Sequence, residues 1–308
     1  MKRKAYLLSQ CMSALMLLTA SSCQSDDKAD GNAIGQPVDI EASIGTATRV
    51  TYNGNAAEFA NGDAITLIRV PKDVTPDLVG NNTSTEKTTY TLANGKWSSS
   101  PLMLWYEQYL ETPYDFYAIY PALTSSSDIS AMALTGNVSS DDVMLAKKGN
   151  HTYSDGKVSL AFSHAMAKLV VNLSKLANEV TNTDNLTVEV KALKQYSVSF
   201  SDMKVSAIGT STDLQLAKQA NSSAAQQTAS LTYSLLLPPQ NEVTTIVVND
   251  GTRTFTWTNT SALSLVAGKM TTVTLNVGEN YVLFGSVSVE NWTPSTISGG
   301  EIEEPEER

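Results

Sequence analysis

Short stretches in which apolar and polar residues alternate recur along most of the chain, separated by Asn, Asp, Gly and Pro. Alternation with a period of two predicts strands that bury one face in a sheet. Structure is expected to start near Val38-Asp39-Ile40-Glu41-Ala42. Strands are predicted over residues 47–52, ending at Asn53-Gly54, and over residues 64–70, where Pro71 stops the run. Asn94-Gly95 between residues 89–92 and 96–98 is a hairpin signal. Residues 114–120 give the strongest strand in the first half, bounded by Pro113 and Pro121. Tyr114, Phe116, Ala118 and Tyr120 alternate there with Asp115, Tyr117 and Ile119. Large residues on both faces place it at the centre of a sandwich.

A turn-rich stretch at residues 149–156 marks a boundary. Residues 157–173 follow, and their pattern predicts a strand, a bend and another strand, although residues 165–169 alone would also suit a helix. Residues 187–193, 233–237, 243–248, 252–258 and 269–277 are strand candidates, with Asn249-Asp250-Gly251 as a hairpin turn. Residues 282–292 form a last strand or strand pair. Residues 211–230, rich in Gln, Ala and Ser, are expected as an exposed excursion, and the glutamate-rich end after residue 298 lacks apolar material for a core. Frequent Thr, Ser and β-branched residues, with few helix-forming stretches, favour antiparallel sheet.

The first residues change the picture most. Lys2, Arg3 and Lys4 precede a mainly apolar run over residues 5–20, too short for a bilayer-spanning helix of roughly 20 residues. Basic residues, a short apolar core and small residues describe an export signal. The small residues lead into Cys23. Either a standard signal peptidase cuts near residues 20–22, or Ala20-Ser21-Ser22-Cys23 resembles a bacterial lipobox and Cys23 becomes a diacylated, palmitate-bearing N-terminus. The chain has two cysteines, and Cys11 lies in the segment to be removed, so Cys23 would remain alone. A lone thiol in an oxidising compartment favours the lipidated reading. Acyl chains would hold the protein stably, at about 0.8 kcal/mol per buried CH₂. The polar, acidic stretch after Cys23 resembles the surface-export signal of Bacteroides-like lipoproteins.

The formal net charge is -10, which argues against nucleic acid and anionic headgroups as partners. No GxSxG, HExxH, phosphate loop or cysteine cluster is present, so no enzymatic activity, cofactor or metal is expected. A Ser-His-Asp triad assembles only in the fold and is left open by sequence. His164 sits among apolar residues and reads as structural, with Met166 beside it as a core filler. Asp141-Asp142 read as solvated acid. Trp97 and Trp105, with Tyr106 and Tyr109, suit either a core patch or a groove for a glycan or protein ligand.

Four stretches resemble the fimbrillin family of Bacteroides and Porphyromonas relatives, the subunits of type V pili. They are Thr48-Arg49 with Phe59 and Asn61-Gly62-Asp63-Ala64-Ile65; the run from Tyr114 to Pro121, similar to "YxFYAxYP"; the run from Leu160 to Leu169, similar to "LxFxHxxAKL"; and Leu235-Leu236-Leu237-Pro238 with Gly268-Lys269 and the closing run to Trp292. The resemblance implies an all-β chain of two tandem transthyretin-like β-sandwich domains, at 39–150 and 151–295. A signal peptide (1–22) and acidic tether (23–38) would precede them, and an acidic tail (296–308) would follow.

The family further implies a lipoprotein on the outer face of the outer membrane, partnered by other fimbrial subunits as a homo- or hetero-polymer. A host protein or glycan would be the adhesion ligand. Polymerising members lose their first strand after cleavage at an arginine, for which Arg49 is the best match. The lost strand would include Ile40 and Ala42. The candidate donor strand is the C-terminal apolar stretch with Tyr281, Leu283, Val287 and Val289. Two other classes compete with the fimbrial subunit: a surface lipoprotein that binds glycan or nutrient without polymerising, and a secreted hydrolase with a hidden site.

Overall fold

Strands dominate the computed structural model, which describes residues 35–45, 58–78, 84–106, 111–136, 138–174, 185–219, 230–277 and 282–291. The first eight strands are β1 (Ile40–Ile44), β2 (Ala64–Pro71), β3 (Glu86–Ala93), β4 (Lys96–Ser99), β5 (Tyr114–Tyr120), β6 (Met132–Ala133), β7 (Met144–His151) and β8 (Val158–His164). All of these except β6 make one sheet, in the order β1-β8-β7-β5-β2-β3-β4. Its two edge strands, β1 and β4, line the same cavity, so the sheet curls until it is nearly closed.

The remaining strands are β9 (Ala167–Ser174), β10 (Thr187–Ser199), β11 (Lys204–Gln215), β12 (Ala217–Lys218), β13 (Ser230–Leu237), β14 (Gln240–Asn249), β15 (Thr254–Leu265), β16 (Lys269–Val277) and β17 (Val282–Asn291). The second sheet runs β11-β10-β14-β15, with β6 added against β10, and the third runs β12-β13-β9-β16-β17. Leu216 lies between β11 and β12, so the chain passes from one sheet to the other at this point. A short helix, α1 (Val138–Asp141), precedes β7. The chain is therefore all-β in its sheets. Among the described residues, no helix is long and apolar enough to cross a membrane.

Alternation explains most of these elements. β8 reads Val158, Leu160, Phe162 and His164 inward and its intervening residues outward. The Asn94-Gly95 turn has positive φ at both residues, 51° and 75°. That is the type I′ geometry whose twist suits a two-residue hairpin. Ala165 and Met166 make the bend between β8 and β9, as the strand-bend-strand pattern predicted.

β2 and β5 are buried on both faces because each separates two cores. One face places Ile65, Leu67, Phe116 and Ala118 inside the curled sheet, with Phe162, Tyr90, Trp97 and Trp105. The other packs Ile68, Val70, Tyr117 and Ile119 against Met166 and against Tyr196, Val198, Phe200 and Val205 of the β10–β11 hairpin. A third core fills the space between the second and third sheets, around Leu169, Val171, Tyr233, Ile246 and Leu275. Each fully buried side chain of this size contributes about 1.5–3 kcal/mol.

Candidate functional site

β1 has the sequence Ile40-Glu41-Ala42-Ser43-Ile44, alternating apolar and polar positions. Ile40 is buried and Ala42 and Ile44 are half-buried against the core of the first sheet, while Glu41 and Ser43 lie on the other face. The strand runs parallel to β8, Ile40 opposite Val158 and Ile44 opposite Phe162. The Val158 amide donates to Asp39 O at 2.9 Å, and the Gly45 amide donates to Phe162 O at 2.8 Å. Odd-numbered residues thus bond to β8, and the N–H and C=O groups of Ile40, Ala42 and Ile44 point to the opposite edge. Glu41 also accepts a hydrogen bond from the Ser159 hydroxyl.

The chain just before β1 is held on that opposite edge. The Val38 amide donates to Met103 O at 2.8 Å, the Trp105 amide to Gln36 O at 2.9 Å, and the Gly35 amide to Trp105 O at 3.2 Å. The Tyr90 hydroxyl donates to Val38 O at 2.7 Å. Burial pushes the Tyr90 hydroxyl up to about 12. Among the described residues the ties to Met103, Trp105 and Tyr90 reach as far as Val38, and a cavity of about 840 Å³ separates β1 from β4. Its walls include Ile40, Ala42, Ile44, Phe59, Leu92 and Trp97, with Asp39, Glu41, Glu58, Lys96 and Lys157 also lining it. Phe59 meets Trp97, Tyr120 and Phe162 edge-on, with ring centroids 5.3–5.6 Å apart.

Next to the Met103–Trp105 segment, Arg69 carries a charge into the interior at 3% exposure. Its guanidinium donates to Leu104 O at 2.9 Å, pairs with Glu86, and lies 5.0–5.8 Å from the ring centres of Trp105, Tyr106 and Tyr114. His151 packs against Trp105 and Phe116, with Nε2 3.1 Å from Gly156 O.

The residues singled out from sequence are distributed as follows. Ile40 and Ala42 lie together in β1. Trp97 and Trp105 are 7% and 3% exposed; Trp97 borders the cavity, and Trp105 packs under Tyr114 and Phe116. Leu283, Val287 and Val289 lie in β17, which pairs with β16 from Val282–Val277 to Asn291–Lys269. Val287 and Val289 are 38% and 50% exposed. Cys23, Arg49, Tyr281 and Tyr109 lie outside the described residues, as does the predicted strand at 47–52.

Asp141 and Asp142 are buried, which corrects the expectation of solvated acid. Asp141 accepts from the Thr135 amide and hydroxyl and from the Gly136 amide, at 2.7–2.9 Å. Asp142 meets His164 Nδ1 at 2.6 Å, which places His164 as a structural, satisfied side chain. Among the described residues no group of three or more His, Cys, Asp or Glu is arranged to hold a metal ion. Val38, Tyr90 and Met103 were not predicted as site residues. Nothing local marks them, because each is defined by a partner many residues away.

A family model described as fimbrillin-like matches residues 48–292 of this chain. Among solved structures, a proposed cell adhesion protein from Bacteroides ovatus is similar over 85% of this chain and 99% of its own, with 17% identity and a TM-score of 0.61. A second, from Bacteroides uniformis, is similar over 83% and 99%, with 19% identity and a TM-score of 0.58. No curated protein matches the chain. At these identities the likeness to solved structures shows the fold.

Proposed function

The chain belongs to the fimbrillin-like family, and from that premise we propose that it is a non-enzymatic adhesion subunit of a cell-surface fimbria, assembled by β-strand exchange. The single observation that carries the mechanism is β1. It is an edge strand, parallel to β8 on one side, whose apolar face covers the core of the first sheet. Loss of such a strand uncovers an apolar groove and the edge of β8, and an extended strand from another subunit restores both. Backbone hydrogen bonds supply affinity and alternate side-chain pockets supply specificity. An unpaired edge left open is prone to uncontrolled pairing, so the vacancy must be filled.

In this reading the protein is exported, lipidated at Cys23 and displayed at the outer membrane, and cleavage after Arg49 frees the segment that contains β1. The chain is organised as two tandem transthyretin-like sandwiches. The donor is the C-terminal stretch that includes Leu283, Val287 and Val289. Pairing of β17 with β16 favours a terminal position in the polymer unless that strand is released. The test is to nick the purified mature chain with an arginine-specific protease and follow mass and oligomer size. The expected result is cleavage after Arg49, a folded core and slow growth of multimers, both steps being blocked by Arg49→Ala. Multimers that form equally well from uncut Arg49→Ala protein would rule the mechanism out.

A further inference from the structure

We propose that the seam between the first sheet and the β10–β11 turn is a binding site for a small aliphatic group that ends in a carboxylate. The site is separate from β1 and does not depend on strand exchange.

A cavity of about 290 Å³ lies at this seam. β7 and β8 supply one wall, Met203 and Lys204 at the start of β11 supply another, and Ala267, just before β16, also borders it. Each of these lies well inside a described stretch of chain. The apolar surface comes from Leu145, Ala146, Ala161, Ala165, Met203 and Ala267, and the polar groups are Lys147, Ser163, His164 and Lys204. An apolar pocket between packed layers, with a few polar groups converging on it, is the common form of a small-ligand site.

The polar groups set the charge of the ligand. Lys147 and Lys204 come from different sheets, with side chains 41% and 58% exposed. Each ammonium stands 3.5 Å from one carboxylate, Asp115 and Asp202 respectively. That is longer than a charge-assisted hydrogen bond of about 2.7–2.9 Å, so a carboxylate between the two lysines gains short bonds that the existing pairs lack. Tyr117, whose ring centre is 4.7 Å from Lys147 Nζ, helps to hold that ammonium in place. Because Asp115 and Asp202 already balance the lysines, the site answers one added negative charge and disfavours a phosphate dianion. His164 is engaged by Asp142 at 2.6 Å and serves as wall. The exposed Ser163 stands beside it as a hydroxyl donor.

The apolar walls set the rest of the ligand. The cavity is at the small end of ligand pockets, which run from roughly 300 to 1,000 Å³, so it takes a few carbons and not a long acyl chain. None of the described residues that line it is aromatic. Small aliphatic walls suit a branched alkyl group better than a sugar, whose apolar face wants a flat ring to lie on. Met203 adds an independent sign. Its φ is 52°, left-handed backbone that glycine or asparagine adopts more readily than a long side chain. Strain of that kind persists where the position has a use. Here it turns the residue onto the core that joins the two sheets and makes it a wall of the cavity.

Two sources offer this chemistry: a free short-chain acid, and the last residue of another polypeptide. The experiment uses the mature, uncut chain with isotope-labelled methionine methyl groups and follows the Met203 signal by NMR, assigned with Met203→Leu. The probes are isovalerate, its uncharged amide isovaleramide, and a pentapeptide ending in leucine with either a free or an amidated C-terminus. Isovalerate is expected to move the Met203 signal saturably, with a Kd on the order of 1 mM, and isovaleramide to leave it in place. Lys204→Met, at an exposed position, is expected to weaken binding about tenfold and to leave the melting temperature unchanged. A free peptide end that binds more tightly than isovalerate, with no binding of the amidated peptide, identifies a polypeptide terminus as the source. A peptide that binds no more tightly than isovalerate identifies the free acid. The site is overturned if isovaleramide binds as well as isovalerate, if Lys204→Met protein binds as tightly as the parent, or if about 20 mM isovalerate leaves the Met203 signal unmoved.

Discussion

Arg69 is the residue whose burial most needs an explanation, since a desolvated guanidinium is costly unless its donors and charge are answered. Leu104 O, Glu86 and the faces of three aromatic rings answer it. Arg69→Met keeps much of the volume but leaves Leu104 O without that donor and Glu86 without its partner. Because Glu86 is partly exposed, the expected loss is about 2 kcal/mol, measured as a lower urea midpoint with an unchanged slope. The buried tyrosines make a second prediction. Burial pushes Tyr90, Tyr196 and Tyr233 up from 10.0 to about 12, and it also raises Tyr120, helped by Asp63. The folded state then holds these protons more tightly than the unfolded chain. Their contribution is fully present below pH 10 and is lost as pH rises from 10 to about 12. The melting temperature should fall steeply across that window, and less steeply in Tyr90→Phe protein, as a pH series of thermal melts would show.

At the scale of elements, β17 is pinned by a bulge. Its pairing with β16 shifts register between Thr274 and Leu275, and Gly285 sits at the shift. A Cβ on Gly285 would stand 3.0 Å from Thr274 O and 3.3 Å from Thr274 Cγ2. Gly285→Val should therefore loosen β17 without unfolding the sheets behind it. Hydrogen exchange should rise along residues 282–291 and stay unchanged in β9 and β13. Two strands were legible in the sequence for different reasons: β5, buried on both faces, is a run of large residues bounded by prolines, and β16, buried on one face, alternates; both have the predicted bounds, and the β3–β4 turn has the predicted chemistry. β7 escaped because Met144, Leu145 and Ala146 are buried in succession and the next four residues are exposed, so nothing alternates. The stretch expected as an excursion continues β11 to Gln215 and contributes β12, because small polar residues can fill an edge strand without an apolar signature. The parallel seat of β1 on β8 was not legible at all. Parallel partners need no shared turn, so no local signal records the pairing. The same distance hid Tyr90 and Met103, whereas the start of structure expected near residues 38–42 is where β1 begins, at Ile40.

Across the whole molecule, the core between the first sheet and the β10–β11 hairpin is the decisive contact. Tyr117 meets Phe200 at 6.0 Å between ring centroids, and Ile68, Val70 and Met166 fill the space around them. This core couples the curled sheet to the second sheet. Phe200→Ala should cost about 3–5 kcal/mol by the cavity it leaves. It should also split one calorimetric unfolding transition into two, as the sheets lose the packing that makes them unfold together.

The seat of β1 also sets an order in time. Glu41 and Ser159, which touch across the β1–β8 ladder, are separated by 118 positions in the chain. As the polypeptide is made and exported from its N-terminus, β1 is available long before the strand on which it lies. The curled sheet therefore closes late, after a slow long-range encounter, and until then its apolar strands are open to chaperones, to proteases and to one another. A chain halted before Val158 would carry β1 with nowhere to dock it, so the first strand of that sheet to leave the ribosome waits for the sheet's last one.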